Sequence, residues 1–224
     1  MDSFNSSVVG SRGCFIVIEG FEGSGKSRLV ELITDGLQNR GFFPVVTKQP
    51  GGTSMGDALA GVLKDKRHST TGEVVSTLAE TYLLAAARVL SFDNVITPAV
   101  VNKKIVISDR HDMSTLALQG AIDESIVRIS KRPDLTIFIN APFDICLTRM
   151  TKRGDECRME AKGLEFLSTV YDRYQNNIDD RTINGRVCYV DSTSFEGAVY
   201  EQDVNTAIDK IIEVFNDTIS QGKN

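Results

Sequence analysis

The stretch Cys14-Phe15-Ile16-Val17-Ile18-Glu19-Gly20-Phe21-Glu22-Gly23-Ser24-Gly25-Lys26-Ser27 decides the fold. Its first six residues are a short apolar run rich in β-branched side chains, the pattern of a buried strand. Its last eight fit G-x-x-x-x-G-K-[ST], a loop that wraps polyphosphates. Leu29, Leu32, Ile33 and Leu37 follow at helical spacing, so a helix starts near Lys26. The motif therefore sits where its chemistry needs it, between a strand and a helix. The glycines permit a tight turn with backbone N–H groups aimed inward, and those dipoles plus the helix N-terminus attract anionic oxygens. Lys26 then reaches the β- and γ-phosphates of a nucleotide as a point charge, and the Ser27 hydroxyl holds Mg²⁺. Gly20, Glu22, Gly23, Ser24, Gly25 and Arg28 complete the expected ATP contacts.

Further strand-like runs lie at Phe43–Thr47, Lys104–Ser108, Leu135–Asn140 and Val187–Asp191, with helix-like segments between them. The alternation predicts an α/β fold, a three-layer sandwich with a five-stranded parallel sheet and helices on both faces. Ligands in such folds sit outside the C-terminal ends of the strands. The polar clusters Thr47–Thr53 and Ser108–His111 each follow a strand, as that rule requires. Gly72–Val101 reads as a long helical segment whose last turn Pro98 bends or closes. Val199–Ile219 reads as a helix with a packing stripe. Lys152–Lys162 is charged and almost without large apolar residues, so it reads as mobile surface, with a lid over about residues 150–162. Residues 1–12 read as a floppy tail and 13–220 as one domain.

The chain has 224 residues, 41% of them hydrophobic and 25% charged, ordinary for a soluble globular domain. A net charge of −5 excludes a general binder of polymeric nucleic acid, which needs a basic excess. No apolar run suggests a membrane span. Cys14, Cys146, Cys157 and Cys188 show no C-x-x-C pairing, and a cytoplasmic, reducing setting is expected. With only His68 and His111 present, a zinc site is not expected. The guanine-reading N-K-x-D of a GTPase is not met: Asn102-Lys103-Lys104-Ile105 lacks the Asp and precedes a strand.

Taken in order from about Phe15 to Asp191, these segments resemble the thymidylate kinase family, which phosphorylates dTMP with ATP. Glu19–Ser27 looks like its phosphate loop, and Thr47-Lys48-Gln49-Pro50-Gly51-Gly52-Thr53 is similar to its T-R-E-P-G-G-T segment. Ala86-Ala87-Arg88-Val89 resembles its base-reading helix turn. Ser108-Asp109-Arg110-His111, Ser114-Thr115 and Gln119-Gly120 resemble its D-R-[YH]…S-[ST]…Q-G signature, and Arg132–Thr136 its R-P-D-L-T lead-in.

The resemblance implies roles. Asp109, ending a strand beside the loop, holds Mg²⁺ or its water, though the residue type equally suits a helix N-cap. Arg110 is placed to grip the acceptor phosphate bidentately, or to pair with an acid on the surface. Glu22 is expected at the acceptor's 3′-hydroxyl. Arg88, Leu84, Lys48, Pro50, Ser114, Thr115 and Gln119 complete the implied dTMP site. Some family members carry a catalytic Arg in the phosphate loop where this chain has Gly23. Here the bacterial-type arrangement is implied, with Arg149, Arg153 and Arg158 supplying the charge and Arg153 as first choice. A solvated charged loop is the plainer reading of the same run.

Four positions depart from the family pattern: Lys48 for Arg, Gln49 for Glu, Leu84 for a base-stacking Phe and Leu90 for Gln. They imply a looser or reshaped base pocket. The expected reaction is ATP + dTMP → ADP + dTDP. Its rivals are a broad deoxynucleoside monophosphate kinase and a nucleotide-binding module without chemistry. The resemblance also implies a homodimer, with Ala85–Val95 either in its face or in the interior.

Overall fold

The computed structural model describes residues 11–64, 75–120, 130–154 and 162–221. In chain order the elements are β1 (Cys14–Glu19), α1 (Lys26–Asn39), β2 (Val45–Lys48), α2 (Ser54–Lys64), α3 (Thr77–Ser91) and α4 (Thr97–Val101). There follow β3 (Ile105–Asp109), α5 (Asp112–Gln119), β4 (Leu135–Asn140), α6 (Phe143–Arg153), α7 (Leu164–Asn177), α8 (Arg181–Asn184), β5 (Arg186–Asp191) and α9 (Ala198–Ser220). The five strands form one parallel sheet in the order β2-β3-β1-β4-β5. The chain leaves β1 towards β2 and leaves β3 towards β4, in opposite directions along the sheet. The C-terminal ends of β1 and β3 therefore flank a crevice of the kind that binds ligands in this architecture.

Alternation along β1 explains the two faces. Cys14, Ile16 and Ile18 pack with Leu29, Ile33 and Leu37 of α1 and Ile208 and Ile211 of α9. Phe15 and Val17 point the other way, against Phe92, Ile96 and Val100. Glu19 shares that second side and is wholly buried. On α1, Lys26 lies on the same stripe as Leu29, Ile33 and Leu37, so the packing that fixes the helix also aims the lysine.

Most expected elements are present with shifted ends. The run expected as Phe43–Thr47 becomes Val45–Lys48, because Pro44 lacks an N–H for the ladder. The long helical segment is continuous from Thr77 to Val101 but passes through a π-helical turn at Phe92–Ile96. Pro98 then opens α4, where a missing N–H is tolerated. This Thr77–Val101 stretch is long and apolar enough to cross a membrane by length and composition, contrary to the sequence expectation. It nevertheless carries the buried polar residues Glu80 and Arg88 and packs on the sheet through Phe92, Ile96 and Val100. One side of it is therefore packed in the protein's interior, while Leu78, Tyr82 and Val101 stay exposed. A second correction concerns Arg149, Lys152 and Arg153: they stand on α6, which Gly154 ends at φ +77°, and not in a loop. The rest of the expected lid, residues 155–161 with Arg158, lies outside the described residues, as do tail residues 1–10.

Candidate active site

The loop between β1 and α1 closes on its own lysine. Gly25 caps α1 at φ +99°, and Lys26 Nζ donates to the Phe21 carbonyl at 2.7 Å. Register sets Asp109 beside Ile18 on one side and Lys48 on the other, so its carboxylate faces the loop. Asp109 and Ser27 line one cavity of about 360 Å³ with Thr47, Lys48 and Gly52. Asp109 Oδ1 is buried there without a protein partner among the described residues. A buried, unpartnered carboxylate oxygen opposite a hydroxyl suits a hard cation such as Mg²⁺, which takes one or two protein oxygens and completes its shell with phosphate and water. Among the described residues no cluster of three or more His, Cys, Asp and Glu side chains forms a dedicated metal cage.

Glu22 joins two arginines. Arg110 Nη2 donates to Glu22 Oε2 at 2.5 Å, and Arg153 Nη1 to Glu22 Oε1 at 2.9 Å. Arg110 also donates to Ser114 Oγ at 3.3 Å and Tyr174 OH at 3.2 Å, with its backbone held left-handed at φ +72°. That conformation costs about 1–2 kcal/mol in an L-residue. Burial alone would raise the Glu22 carboxyl, but Lys26, Arg110 and Arg153 outweigh it and hold it down at about 2. Burial, then Arg110, lowers Lys26 to about 8, against the pull of Glu22, Asp109 and Glu19.

The Gly23 amide lies against α6. A Cβ at residue 23 would fall 2.4 Å from the Cys146 carbonyl oxygen, and the residue sits at φ +78°. No arginine fits there without moving α6. The helix that excludes it delivers Arg153 to Glu22 instead. Arg149, one turn earlier, donates to the carbonyls of Ser192 at 2.6 Å and Thr193 at 3.3 Å. Its guanidinium stacks 4.0 Å from the centre of the Phe195 ring, with Arg28 at 5.1 Å. Phe195 in turn rests on Gly25, where a Cβ would meet the ring at 2.4 Å.

A second cluster surrounds Arg88 on α3. Its Nε donates to Gln49 Oε1 at 3.2 Å, its Nη1 pairs with Asp112 Oδ1 at 2.9 Å, and its Nη2 bonds Thr115 Oγ1. Leu84, one turn before Arg88, is half-buried. Gln49 Nε2 and Gln119 Oε1 are buried without protein partners among the described residues, so both are available to a ligand. The Gln49–Pro50 peptide is cis. Lys48 is largely exposed and 3.9 Å from Asp57. Ser114 is engaged below the site: its hydroxyl donates to Glu19 Oε2 at 2.7 Å and meets Tyr174 OH at 2.8 Å. Glu19, Tyr174, Gln49 in its Arg88 contact, Asp112 and Phe195 went unrecognised in the sequence. Only the G-x-x-x-x-G-K frame next to Glu19 offered a cue.

A phosphate loop, a carboxylate one strand away and two arginines meeting at the loop are the parts that phosphoryl transfer calls for. Comparison agrees with this geometry. The sequence profile of thymidylate kinase matches residues 18–202. The chain belongs to the thymidylate kinase family. It is 30% identical over 213 residues to a thymidylate kinase of Legionella pneumophila (strain Corby), covering 91% of this chain and 95% of that one. It is 36% identical over 175 residues to one from Colwellia psychrerythraea, covering 74% and 81%. The crystal structure of thymidylate kinase from Ehrlichia chaffeensis superposes with a TM-score of 0.64 at 26% identity, over 90% of this chain and 98% of that one. Thymidylate kinases are nucleoside monophosphate phosphotransferases, and the sheet and phosphate loop found here are theirs.

The Lys26 environment sets a pH dependence. Only the ammonium form grips phosphate, so kcat/KM for ATP is expected to hold at neutral pH and fall as pH rises through about 8. Bound phosphates favour the charged form, so the corresponding limb in kcat lies higher. Initial-rate profiles from pH 6.5 to 10 check this, and a kcat/KM that stays level to pH 10 refutes it.

Proposed function

We propose that this chain transfers the γ-phosphoryl group of ATP to the 5′-phosphate of dTMP, giving dTDP, with Mg²⁺ between Ser27 and Asp109 and a base pocket that also admits other deoxynucleotides. The single observation that carries this reading is the meeting of Arg110 and Arg153 on Glu22 inside the phosphate loop. It concentrates cationic groups where a donor and an acceptor phosphate would meet.

The roles follow from position. Backbone N–H groups of Gly20–Ser27 and Lys26 hold the donor phosphates. Arg110, fixed by Glu22, Ser114 and Tyr174, orients the acceptor phosphate for in-line attack. Arg153 stabilises charge developing on the equatorial oxygens. Glu22 keeps both guanidiniums in place before ligands arrive and stands ready to accept from the acceptor's 3′-hydroxyl. Mg²⁺, when bound, neutralises negative charge on the donor's β- and γ-phosphates. Arg149, Phe195 and Arg28 belong to the donor side, next to Gly25. Gln49 supports the base pocket: as an amide it contacts Arg88 without adding a charge, and Asp112 supplies a carboxylate to Arg88. Lys26→Ala is expected to abolish turnover with the thermal midpoint retained. Arg153→Ala is expected to lower kcat by ~10³ or more with KM for both nucleotides within a few-fold. Steady-state kinetics and thermal melts on both variants check these outcomes, and near-normal turnover in Lys26→Ala defeats the loop assignment.

Base specificity rests on Leu84 and Arg88. Leu84 packs on a base without the aromatic stacking worth about 1–3 kcal/mol. We expect kcat/KM for dUMP and 5-substituted deoxyuridylates within about tenfold of dTMP, since a methyl in an apolar pocket discriminates by only about 10–200-fold. An ADP-release assay across deoxynucleoside monophosphates measures this. A preference for dTMP above about 200-fold over every other acceptor rejects the relaxed pocket. ATP binding without acceptor-dependent ADP release would instead favour the non-catalytic rival.

The family's homodimer is also part of this reading, as is a reducing, cytoplasmic setting for the unpaired thiols of Cys14, Cys146 and Cys188. Ala85, Ala87 and Phe92 are interior, but α3 exposes Leu78 and Tyr82, and the adjoining α2 exposes Met55 and Val62. Exposed apolar side chains on two adjoining helices favour self-association. Sedimentation velocity is expected to give a dimer that Tyr82→Asp dissociates. A monomeric wild-type chain at micromolar concentration overturns it.

A further inference from the structure

A second concave site lies at the N-terminal ends of the strands, the opposite end of the sheet from the phosphate loop. It is a cavity of about 530 Å³, bounded by Arg12 ahead of β1, Lys131–Asp134 ahead of β4, Arg181 and Arg186 around β5, and the end of α9. Its volume is that of a small-molecule site. Five cationic side chains and two acids line it: Arg12, Lys131, Arg132, Arg181 and Arg186, against Asp134 and Asp217. The acids are already taken. Arg12 forks onto Asp134 at 2.5 and 2.8 Å, and Arg186 meets Asp217 at 3.3 Å. Arg132 donates to the Arg181 carbonyl at 3.2 Å, which brings these two segments together. Among the described residues Lys131 and Arg181 form no ion pair. Burial, then Arg12, lowers the Lys131 ammonium from its ordinary value despite nearby Asp134. The rim therefore holds like charges in excess of its anions.

The wall of this cavity is also the back of the base-reading cluster. The Lys131 carbonyl lies 3.3 Å from His111 Nε2, and Ser130 Oγ donates to Asp112 Oδ1 at 3.2 Å. His111 Nδ1 lies 3.2 Å from Gln49 Oε1, and Asp112 pairs with Arg88. A shift in the Ser130–Pro133 strip thus reaches Arg88 through two hydrogen-bonded side chains.

We propose that this rear cavity binds an oligophosphate group, and that its occupation alters acceptor binding through the Ser130–Lys131 contacts with Asp112 and His111. Lys131, Arg132 and Arg181 supply the charge, and phosphate oxygens replace the missing anions between them. The group is borne either by a free polyphosphate or by a nucleoside triphosphate. The binding half of the proposal is independent of the kinase reading, and the coupling half rests on Arg88 serving the acceptor base.

Lys26→Ala separates the two phosphate sites. Calorimetry with tripolyphosphate on the full-length Lys26→Ala protein is expected to retain one binding site. Adding Lys131→Ala, Arg132→Ala and Arg181→Ala is expected to remove it, and the single exchange Arg181→Glu to weaken it in the same direction. Equal affinity for tripolyphosphate and dTTP identifies the bare anion as sufficient, whereas about tenfold tighter dTTP identifies a nucleotide. In otherwise wild-type protein at saturating ATP, tripolyphosphate is expected to change KM for dTMP about fivefold or more, an effect the triple variant lacks while keeping its basal kcat. Loss of all tripolyphosphate binding in Lys26→Ala, or undiminished binding after the three further exchanges, overturns the site. An unmoved KM at saturating tripolyphosphate overturns the coupling. None of these binding outcomes depends on turnover, so they stand apart from failure of the kinase reading.

Discussion

The buried carboxylate of Glu19 is the constraint on which the site depends. It ends β1 immediately before the phosphate loop and reaches across the crevice to the start of α5. There it accepts the backbone N–H of His111 at 2.7 Å and of Ser114 at 3.1 Å, together with the Ser114 hydroxyl. Helix N-termini leave such N–H groups without intrahelical partners, and a carboxylate is favoured by their dipoles. Glu19 therefore caps α5 from another strand. That single side chain ties the ends of β1 and β3, which carry the phosphate loop and the Asp109-Arg110 pair. The strained backbone of Arg110 is understandable on this basis, since its N–H is held by the Ile18 carbonyl at 3.0 Å while the next residue is held by Glu19. Burial still pushes Glu19 upward, ahead of the opposing pull of Arg110, Ser114 and the His111 N–H. The buried carboxyl is kept at a cost because the backbone N–H groups of His111 and Ser114 have no other acceptor among the described residues.

Above that foundation the charges are arranged for a ligand. One local field depresses both Glu22 and Lys26, through opposite balances. For Glu22, three nearby cations overcome burial. For Lys26, burial and Arg110 overcome three nearby carboxylates. Three cations and three carboxylates thus share one small volume, and the burial that lowers Lys26 is a cost that an incoming phosphate's negative charge offsets. Preorganised cations of this kind need little rearrangement during transfer.

What the sequence made legible was local. The phosphate loop is contiguous, and its glycines, lysine and following stripe of Leu29, Ile33 and Leu37 state their roles within a dozen residues. Asp109 and Arg110 were readable because they end an apolar strand. The rest depends on distant partners. Glu19 reads as the tail of an apolar run until α5 and Tyr174 fold onto it, 92 to 155 residues away in sequence. Arg149 and Arg153 look like part of a charged loop, since their helix is revealed only when Cys146 and Met150 bury against Phe21 and Tyr174. Phe195 has no periodic signal at all. Its place is fixed by the stacking of Arg149 and by contact with Gly25, and both require the finished sheet.

Gly23 shows how packing selects between two ways of supplying the same charge. A loop arginine would bring a guanidinium directly to the phosphates, but it needs space at the loop's tip. Here that space is filled by the backbone of α6, close enough that even a methyl group would collide with the Cys146 carbonyl. The close approach is itself stabilised, since Cys146 and Met150 are buried in the cluster that holds Phe21. Glycine at position 23 and arginine at position 153 are thus one solution: the loop gives up its side chain so that the helix can approach, and the helix brings a guanidinium to Glu22 from about two turns further on. Enlarging residue 23 would push α6 away and carry Arg153 off Glu22. The meeting of Arg153 with Glu22 therefore depends on a close contact between two backbones.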